Sequence, residues 1–106
     1  METLKLSLEY QCYPIWHYDS DNNLVNNDLP DELIQDKELD ELLCEIQEIF
    51  DNLFTNNQVD FHSNSFKSND ERIKFINKIY NAVNIIKNRY GNSYNIVCLY
   101  NNDSFQ

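Results

Sequence analysis

The sequence is short of glycine and of basic residues, and it contains no long apolar run. A single glycine in 106 residues leaves no room for the glycine-rich loops that bind nucleotide phosphates or present a nucleophilic serine, and this argues against nucleotide-dependent chemistry. No apolar stretch approaches the roughly 20 residues that a membrane-spanning helix requires, and the N-terminal residues lack the basic start and apolar core of a signal peptide. These absences predict a soluble cytoplasmic protein that does not bind membranes.

Cysteine and histidine are too few and too scattered for a metal centre or a catalytic pair. Cys12, Cys44 and Cys98 are an odd number without the paired spacing of a disulfide framework or a zinc site. His17 and His62 stand at no spacing from these thiols that indicates a metal site or a nucleophile with its base. We therefore predict free thiols in a reducing compartment, no catalytic residue, no metal and no cofactor, and a protein that is not an enzyme.

The acidic charge is concentrated in one part of the chain. The net charge is −10, and residues 28–51 alone carry ten acidic side chains against one lysine. Such a cluster repels nucleic acid and anionic lipid, so neither is an expected partner. It favours a basic protein, a cation, or no partner at all if the charge serves only solubility.

Apolar periodicity divides the chain into strands, then helices, then a final strand. Residues 4–12 alternate between apolar and polar side chains, and short extended segments continue to about residue 25. A continuous apolar stripe predicts a helix over about 31–54, clearest from Asp36 to Phe54, and a second stripe predicts a helix over about 70–90. Gly91 is expected to end that helix in a left-handed conformation. Residues 58–62 are a possible strand between the helices.

The last strand is predicted over 94–100. Because Ile96 to Tyr100 is apolar on both faces, we expect this strand in the centre of the sheet. The tail from Asn101 to Gln106 is expected to fray. A chain of this length and composition fits one domain over residues 1–106. The fold class that we predict is α+β, a small and mostly antiparallel sheet packed against two amphipathic helices.

The side of the first helix opposite its apolar stripe is almost entirely acidic. Like charges four residues apart, as at Glu41 and Glu45, destabilise a helix by a few tenths of a kcal/mol, so a helix selected for stability alone would alternate its charges. This face can be a solvated surface, or it can mimic a phosphate backbone and enter a basic cleft. The partner-binding residues that we predict on it are Asp40, Glu41, Glu45, Glu48 and Asp51. Trp16 and Tyr18 are added because aromatic residues are favoured at interfaces.

In its size, its acidic helix over residues 36–51 and its aromatic-rich opening from Tyr10 to Tyr18, the chain resembles the small immunity proteins encoded beside bacterial polymorphic toxins. These include the immunity proteins of contact-dependent growth inhibition systems. The resemblance implies a cognate toxin domain, bound tightly in the bacterial cytoplasm. It suggests that the acidic helix covers the cleft of a basic nuclease domain, and binding away from the active site is the open alternative. We expect the chain itself to be a monomer or a weak homodimer.

The same features also fit a different kind of protein-binding module. A phage-type inhibitor that mimics DNA, or an acidic subunit of a larger assembly, would carry a similar acidic surface. DNA mimicry requires the acidic residues to stand in rows with phosphate-like spacing. An enzyme of unrecognised type would instead need a deep pocket in which histidine, cysteine and carboxylate groups converge.

Overall fold

The computed structural model describes residues 1–55, 66 and 68–105, which form four strands and two helices. In chain order these elements are β1 (Glu2–Leu6), β2 (Ile15–Tyr18), β3 (Leu24–Asn26), α1 (Lys37–Thr55), α2 (Asn69–Tyr90) and β4 (Tyr94–Cys98). The possible strand over 58–62 and the second histidine, His62, lie outside the described residues.

The four strands form one sheet in the order β3-β2-β1-β4. β1 pairs antiparallel with β2, and β2 with β3, whereas β1 and β4 run parallel. In the middle of the sheet, Leu4 of β1 lies between His17 of β2 and Ile96 of β4. A parallel pair needs a long connection, and here both helices lie between the two strands in sequence. The predicted α+β class, with a mostly antiparallel sheet and two helices, is confirmed.

One face of the sheet packs against the helices. Leu4, Leu6 and Ile15 point to this face because side chains alternate along a strand, and each is at most 1% exposed. Residues at three- and four-residue spacing complete the core from the helices, namely Leu39, Leu43, Ile46 and Phe50 of α1 and Phe75, Ile79, Val83 and Ile86 of α2. Full burial of such a side chain stabilises the fold by about 1.5–3 kcal/mol.

The first helix begins at Lys37 and not near residue 31. Residues 31–35 form turns instead, in which the carbonyl of Pro30 accepts the N–H groups of Leu33 and Ile34 at 2.8 and 3.2 Å. Asp36 then caps α1, because its carboxylate accepts the N–H of Leu39 at 3.2 Å. The acidic run before the helix therefore belongs to a turn and a cap.

In the sheet formed by the four described strands, the last strand lies at an edge, so its predicted central position is wrong. It pairs only with β1 among the described strands and ends at Cys98. Its apolar character on both faces has another cause. Val97 and the following Leu99 are 42% and 53% exposed, because the face of the sheet opposite the helices is open to solvent.

Gly91 follows α2, but its backbone has φ −63° and ψ −18°, so the expected left-handed conformation is wrong. Its N–H donates to the carbonyl oxygen of Lys87 at 3.1 Å, as in one more turn of helix. A Cβ atom at this position would lie 2.3 Å from that same oxygen. The close approach of the backbone, and not a positive φ, is what requires glycine here.

The C-terminal tail is anchored, and the expectation that it frays is wrong for residues 101–105. Arg72, only 7% exposed, donates to the backbone carbonyls of Asn102 and Ser104. Phe105 stacks on Tyr100 with ring centroids 5.2 Å apart, and it also contacts three phenylalanine rings, those of Phe50, Phe66 and Phe75. The tail thereby closes the end of the core.

An ion-pair cluster joins the start of α1 to the end of α2. Arg89 donates to both carboxylate oxygens of Asp36, at 3.0 and 2.9 Å, and to Glu38, while the Tyr90 hydroxyl donates to Asp36 at 2.7 Å. Burial alone would raise the pKa of the Asp36 carboxyl, but the hydrogen bonds from Tyr90 and Arg89 outweigh it and hold that pKa below its usual value. The cluster fixes the relative position of the two helix ends.

Candidate partner-binding surface

The five acidic residues predicted on the outer side of α1 differ in exposure. Glu41, Glu45 and Glu48 are exposed, whereas Asp40 and Asp51 are half-buried. The difference follows from their neighbours. The loop that connects β1 to β2, residues 7–14 and called here the β1–β2 loop, lies beside α1 and partly covers both aspartates.

Asp51 binds the tip of the β1–β2 loop. Its Oδ1 accepts the backbone N–H of Gln11 at 2.9 Å and the side-chain amide of Gln47 at 2.8 Å. The same Gln47 amide nitrogen also donates to the backbone carbonyl of Glu9 at 2.9 Å. Two side chains on successive turns of α1 therefore hold the loop by its backbone, and the Asp51 carboxylate is engaged inside the chain.

Asp40 binds the base of the same loop. The Tyr13 hydroxyl donates to Asp40 Oδ1 at 2.7 Å. Burial of the phenol, and then the adjacent Asp40 carboxylate, raise the pKa of Tyr13 far above its ordinary value, so this hydroxyl stays protonated. Burial and Asp40 likewise raise the pKa of the nearby Cys44 thiol, which makes this cysteine a weak nucleophile.

Of the three exposed glutamates, Glu45 has a partner in the second helix. Its carboxylate accepts Lys78 Nζ at 2.6 Å, a bridge between half-exposed side chains. Glu41 and Glu48 form no hydrogen bond or ion pair with any other residue that the structure describes. These two carboxylates are the ones that α1 presents to a partner without having to release an internal contact.

A groove of about 570 Å³ separates the β1–β2 loop from α1. Gln11, Cys12 and Tyr13 line one wall, and the opposite wall consists of α1 residues, with Glu48 among them. The groove is shallow and open, and its two thiols, Cys12 and Cys44, are free. Its shape suits contact with a protein surface better than enclosure of a small substrate.

Trp16 and Tyr18 lie on a different surface from the acidic residues. Both point to the open face of the sheet, and together with Lys5, Ser7 and Glu9 they line a second groove of about 250 Å³. The Trp16 indole N–H donates to the Ser7 carbonyl at 2.9 Å, which fixes the ring against the loop. The residues predicted as one binding set thus occupy two surfaces, and the β1–β2 loop borders both.

The contacts that hold the β1–β2 loop were not predicted from the sequence. Asn27 accepts the Tyr13 N–H at 3.0 Å and donates to the carbonyls of Tyr13 and Ile15, at 2.6 and 2.9 Å. At its other end the Leu8 N–H donates to the Tyr100 hydroxyl at 2.7 Å. These bonds join residues far apart in sequence, so no local sequence pattern predicts them. A paired asparagine, here Asn26 and Asn27, is the one signal of a structured turn.

Of the two histidines considered as candidates, the structure describes His17. The His17 imidazole is buried and pairs with Glu2 at 2.7 Å through its Nε2. Across the described parts of the chain, no group of three or more histidine, cysteine or acidic side chains is arranged to hold a metal ion. Neither α1 nor α2, the helices within the described residues, is long and apolar enough to cross a membrane.

The comparison with known proteins gives the family. The model of the family described as Serratia CdiI immunity protein-like matches residues 2–101, a range that contains all four strands and both helices. No curated protein matches the sequence. The match confirms the resemblance to immunity proteins of contact-dependent growth inhibition systems. The chain belongs to the Serratia CdiI immunity protein-like family.

Proposed function

We propose that the chain neutralises a nuclease toxin by covering its basic cleft with the exposed acidic face of α1. Family membership gives the general role, which is that of an immunity protein that inhibits a cognate toxin. The nuclease activity of the toxin and the use of the acidic face are our proposal. The single observation that carries it is the excess of unneutralised acid on residues 28–51, with Glu41 and Glu48 exposed on α1.

A nuclease needs cationic side chains in its cleft, because it must bind the phosphate backbone of its substrate. The inhibitor of such a cleft is expected to be acidic where it makes contact. Within the described residues, two basic side chains form ion pairs with these ten acidic residues. Arg89 pairs with Asp36 and Glu38, and Lys78 pairs with Glu45. The remaining carboxylates leave a negative surface that attracts a basic domain and speeds its association.

The other properties of the chain support action by binding alone, in the cytoplasm. All three cysteines are free thiols, which fits a reducing compartment. His17, the histidine that the structure describes, is engaged with Glu2 and faces the core side of the sheet. We propose that the protein is not an enzyme and that one monomer binds one toxin domain.

The open face of the sheet supports a second arrangement. Trp16 and Tyr18 lie there beside a groove, and their residue types are frequent anchors of protein interfaces. An immunity protein that used this face would bind the toxin away from its cleft and leave α1 exposed. Binding through the open face of the sheet would depend less on the acidic charge of α1 than binding through α1 itself.

The test is a charge reversal on α1. The double variant Glu41→Lys/Glu48→Lys should keep the fold, because both side chains are exposed and neither is paired within the described chain. We expect its binding to the toxin domain to weaken by about 2–5 kcal/mol, because each lysine faces a cation in the cleft. Binding of the unmodified chain should weaken as salt is raised.

The matched control is Asp21→Lys/Asp103→Lys. It changes the net charge by the same amount at two exposed positions outside residues 28–51. Long-range attraction alone would make the two double variants equally weak. Equal affinities for all three proteins would exclude α1 as the contact and favour the open face of the sheet.

A further inference from the structure

We propose that the β1–β2 loop is a preformed ridge at the centre of the toxin interface, and that Asp40, Gln47 and Asp51 position this ridge without contacting the toxin. The inference rests on the proposed function and refines it. It divides four of the acidic residues of α1 into two classes. Glu41 and Glu48 face the partner, and the two aspartates act through the loop.

The ridge is held at both ends. Ser7 donates its N–H to the Pro14 carbonyl at 3.0 Å, which closes the base of the loop. The Tyr100 hydroxyl accepts the Leu8 N–H at 2.7 Å on one side. The Tyr13 hydroxyl reaches Asp40 at 2.7 Å on the other. Groups from α1 and from Tyr100, the second residue after β4, therefore hold the two sides of this segment.

The tip of the ridge is held in a conformation that its sequence disfavours. Gln11 has φ +59°, in the left-handed region that residues with a side chain seldom adopt. Such a conformation persists only when the surroundings impose it, and it is often found at ligand clamps. Here Asp51 imposes it by accepting the Gln11 N–H at 2.9 Å. Next to it, Gln47 binds the Glu9 carbonyl, at the start of the same turn.

The side chains on the ridge suit a protein partner. Tyr10 is 47% exposed, and it is the aromatic residue among the large apolar side chains that the described chain exposes. Tyrosine is one of the residue types that dominate binding energy at interfaces. The groove between the ridge and α1, which Glu48 lines, borders the ridge on one side, and the groove that Trp16 lines on the open face of the sheet borders it on the other. A toxin that closed over the ridge would reach both surfaces, although they lie on different sides of the fold.

A fixed ridge also explains why two carboxylates are engaged inside the chain. A loop that is ordered before binding loses little conformational freedom on binding, and this strengthens the complex without any new contact. Asp40 and Asp51 would then increase affinity through the loop. Replacing either aspartate should make the loop more mobile, and the affinity for the toxin should fall because the loop must then be ordered on binding.

The first test addresses the tip. Tyr10→Ala should weaken binding to the toxin domain by about a hundredfold, as expected for a central aromatic anchor. The matched control is Ile73→Ala, which shortens a side chain of similar exposure on α2. This control should bind like the unmodified chain. Equal affinity of both variants and the unmodified chain would overturn the central position of the ridge.

The second test separates position from charge at Asp51. Asp51→Asn removes the charge but keeps an oxygen that can accept the Gln11 N–H, whereas Asp51→Ala removes both. We expect Asp51→Ala to weaken binding by about tenfold and to speed hydrogen exchange at the Gln11 amide, and Asp51→Asn to change both much less. Equal losses of affinity in the two variants would mean that the charge itself meets the toxin, and would overturn the positioning role.

The two proposals can fail separately. If the Glu41→Lys/Glu48→Lys variant weakens binding while the Tyr10 and Asp51 variants bind normally, the acidic face stands and the ridge is wrong. If the ridge variants weaken binding while the charge reversal does not, the ridge stands and the acidic mechanism is wrong.

Discussion

The hydrogen bond from Tyr13 to Asp40 allows a quantitative prediction. Its donor and acceptor oxygens are 2.7 Å apart, and the acceptor is a carboxylate. Hydrogen bonds to charged groups stabilise a fold by about 1.5–3 kcal/mol when the groups are buried. Asp40 is half-buried, so water can replace part of the lost bond. We therefore expect a coupling of about 1–2 kcal/mol between the two side chains.

The assay is a double-mutant cycle followed by urea unfolding. Tyr13→Phe keeps the ring, which packs against the core, and removes only the hydroxyl. Asp40→Ala removes the acceptor, and the double variant completes the cycle. The control is Tyr18→Phe, since the Tyr18 hydroxyl bonds to no other described residue; its effect should stay within about 0.5 kcal/mol.

A coupling below about 0.3 kcal/mol would refute the reasoning, because additive effects are what independent sites give. It would mean that the loop and α1 are not joined through this pair. Of the α1 side chains, Asp51 and Gln47 would then be the ones that hold the ridge.

Three further predictions concern stability. The pKa of Asp36 is lower in the folded chain than in the unfolded one. Its contribution to the free energy of unfolding is therefore fully present above the unfolded pKa of about 4 and is lost as the pH falls through the folded pKa. Asp36→Asn should make the free energy of unfolding, measured with urea, fall less steeply towards acid pH. Four of the seven tyrosines have raised pKa values, so stability should be complete below about pH 10 and decline above it, and tyrosinate absorbance should show these four ionising at a higher pH in the folded chain than in the unfolded one, namely Tyr13, Tyr90, Tyr94 and Tyr100. Arg72→Met should lower the free energy of unfolding by about 2–3 kcal/mol and expose the tail to proteases, whereas Lys74→Met, at an exposed position, should do neither.

The periodic parts of the fold were predictable from sequence because their signals are local. The apolar stripe of the first helix marks α1. The alternation over residues 4–12 marks β1 only in part, because the strand spans Glu2–Leu6 and the residues after it form the β1–β2 loop. The sheet order was not predictable, since the pairing of β1 with β4 depends on how two helices return the chain. The apolar character of Val97 and Leu99 indicated a central strand, but an open sheet face permits the same pattern at an edge.

The candidate site was predictable in composition but not in arrangement. A helical wheel puts Asp40, Glu41 and Asp51 on one acidic face, and it treats them as equivalent. The structure separates them, because a loop from elsewhere in the chain contacts the aspartates. Trp16 was predicted as a partner-binding residue from its residue type alone, and the structure puts it on the open face of the sheet, away from α1. The engagement of the aspartates and the position of Trp16 both depend on contacts between segments distant in sequence. No local pattern in a single sequence predicts such contacts.

The most direct measurement is a competition on the toxin itself. A catalytically inactive toxin domain is bound to a short fluorescent nucleic acid, and the immunity protein is added while fluorescence anisotropy is followed. If the chain covers the basic cleft, the nucleic acid should be displaced completely, at a concentration that rises with the amount of nucleic acid present. A stable ternary complex, with the anisotropy rising instead of falling, would contradict the account and move the interface away from the cleft.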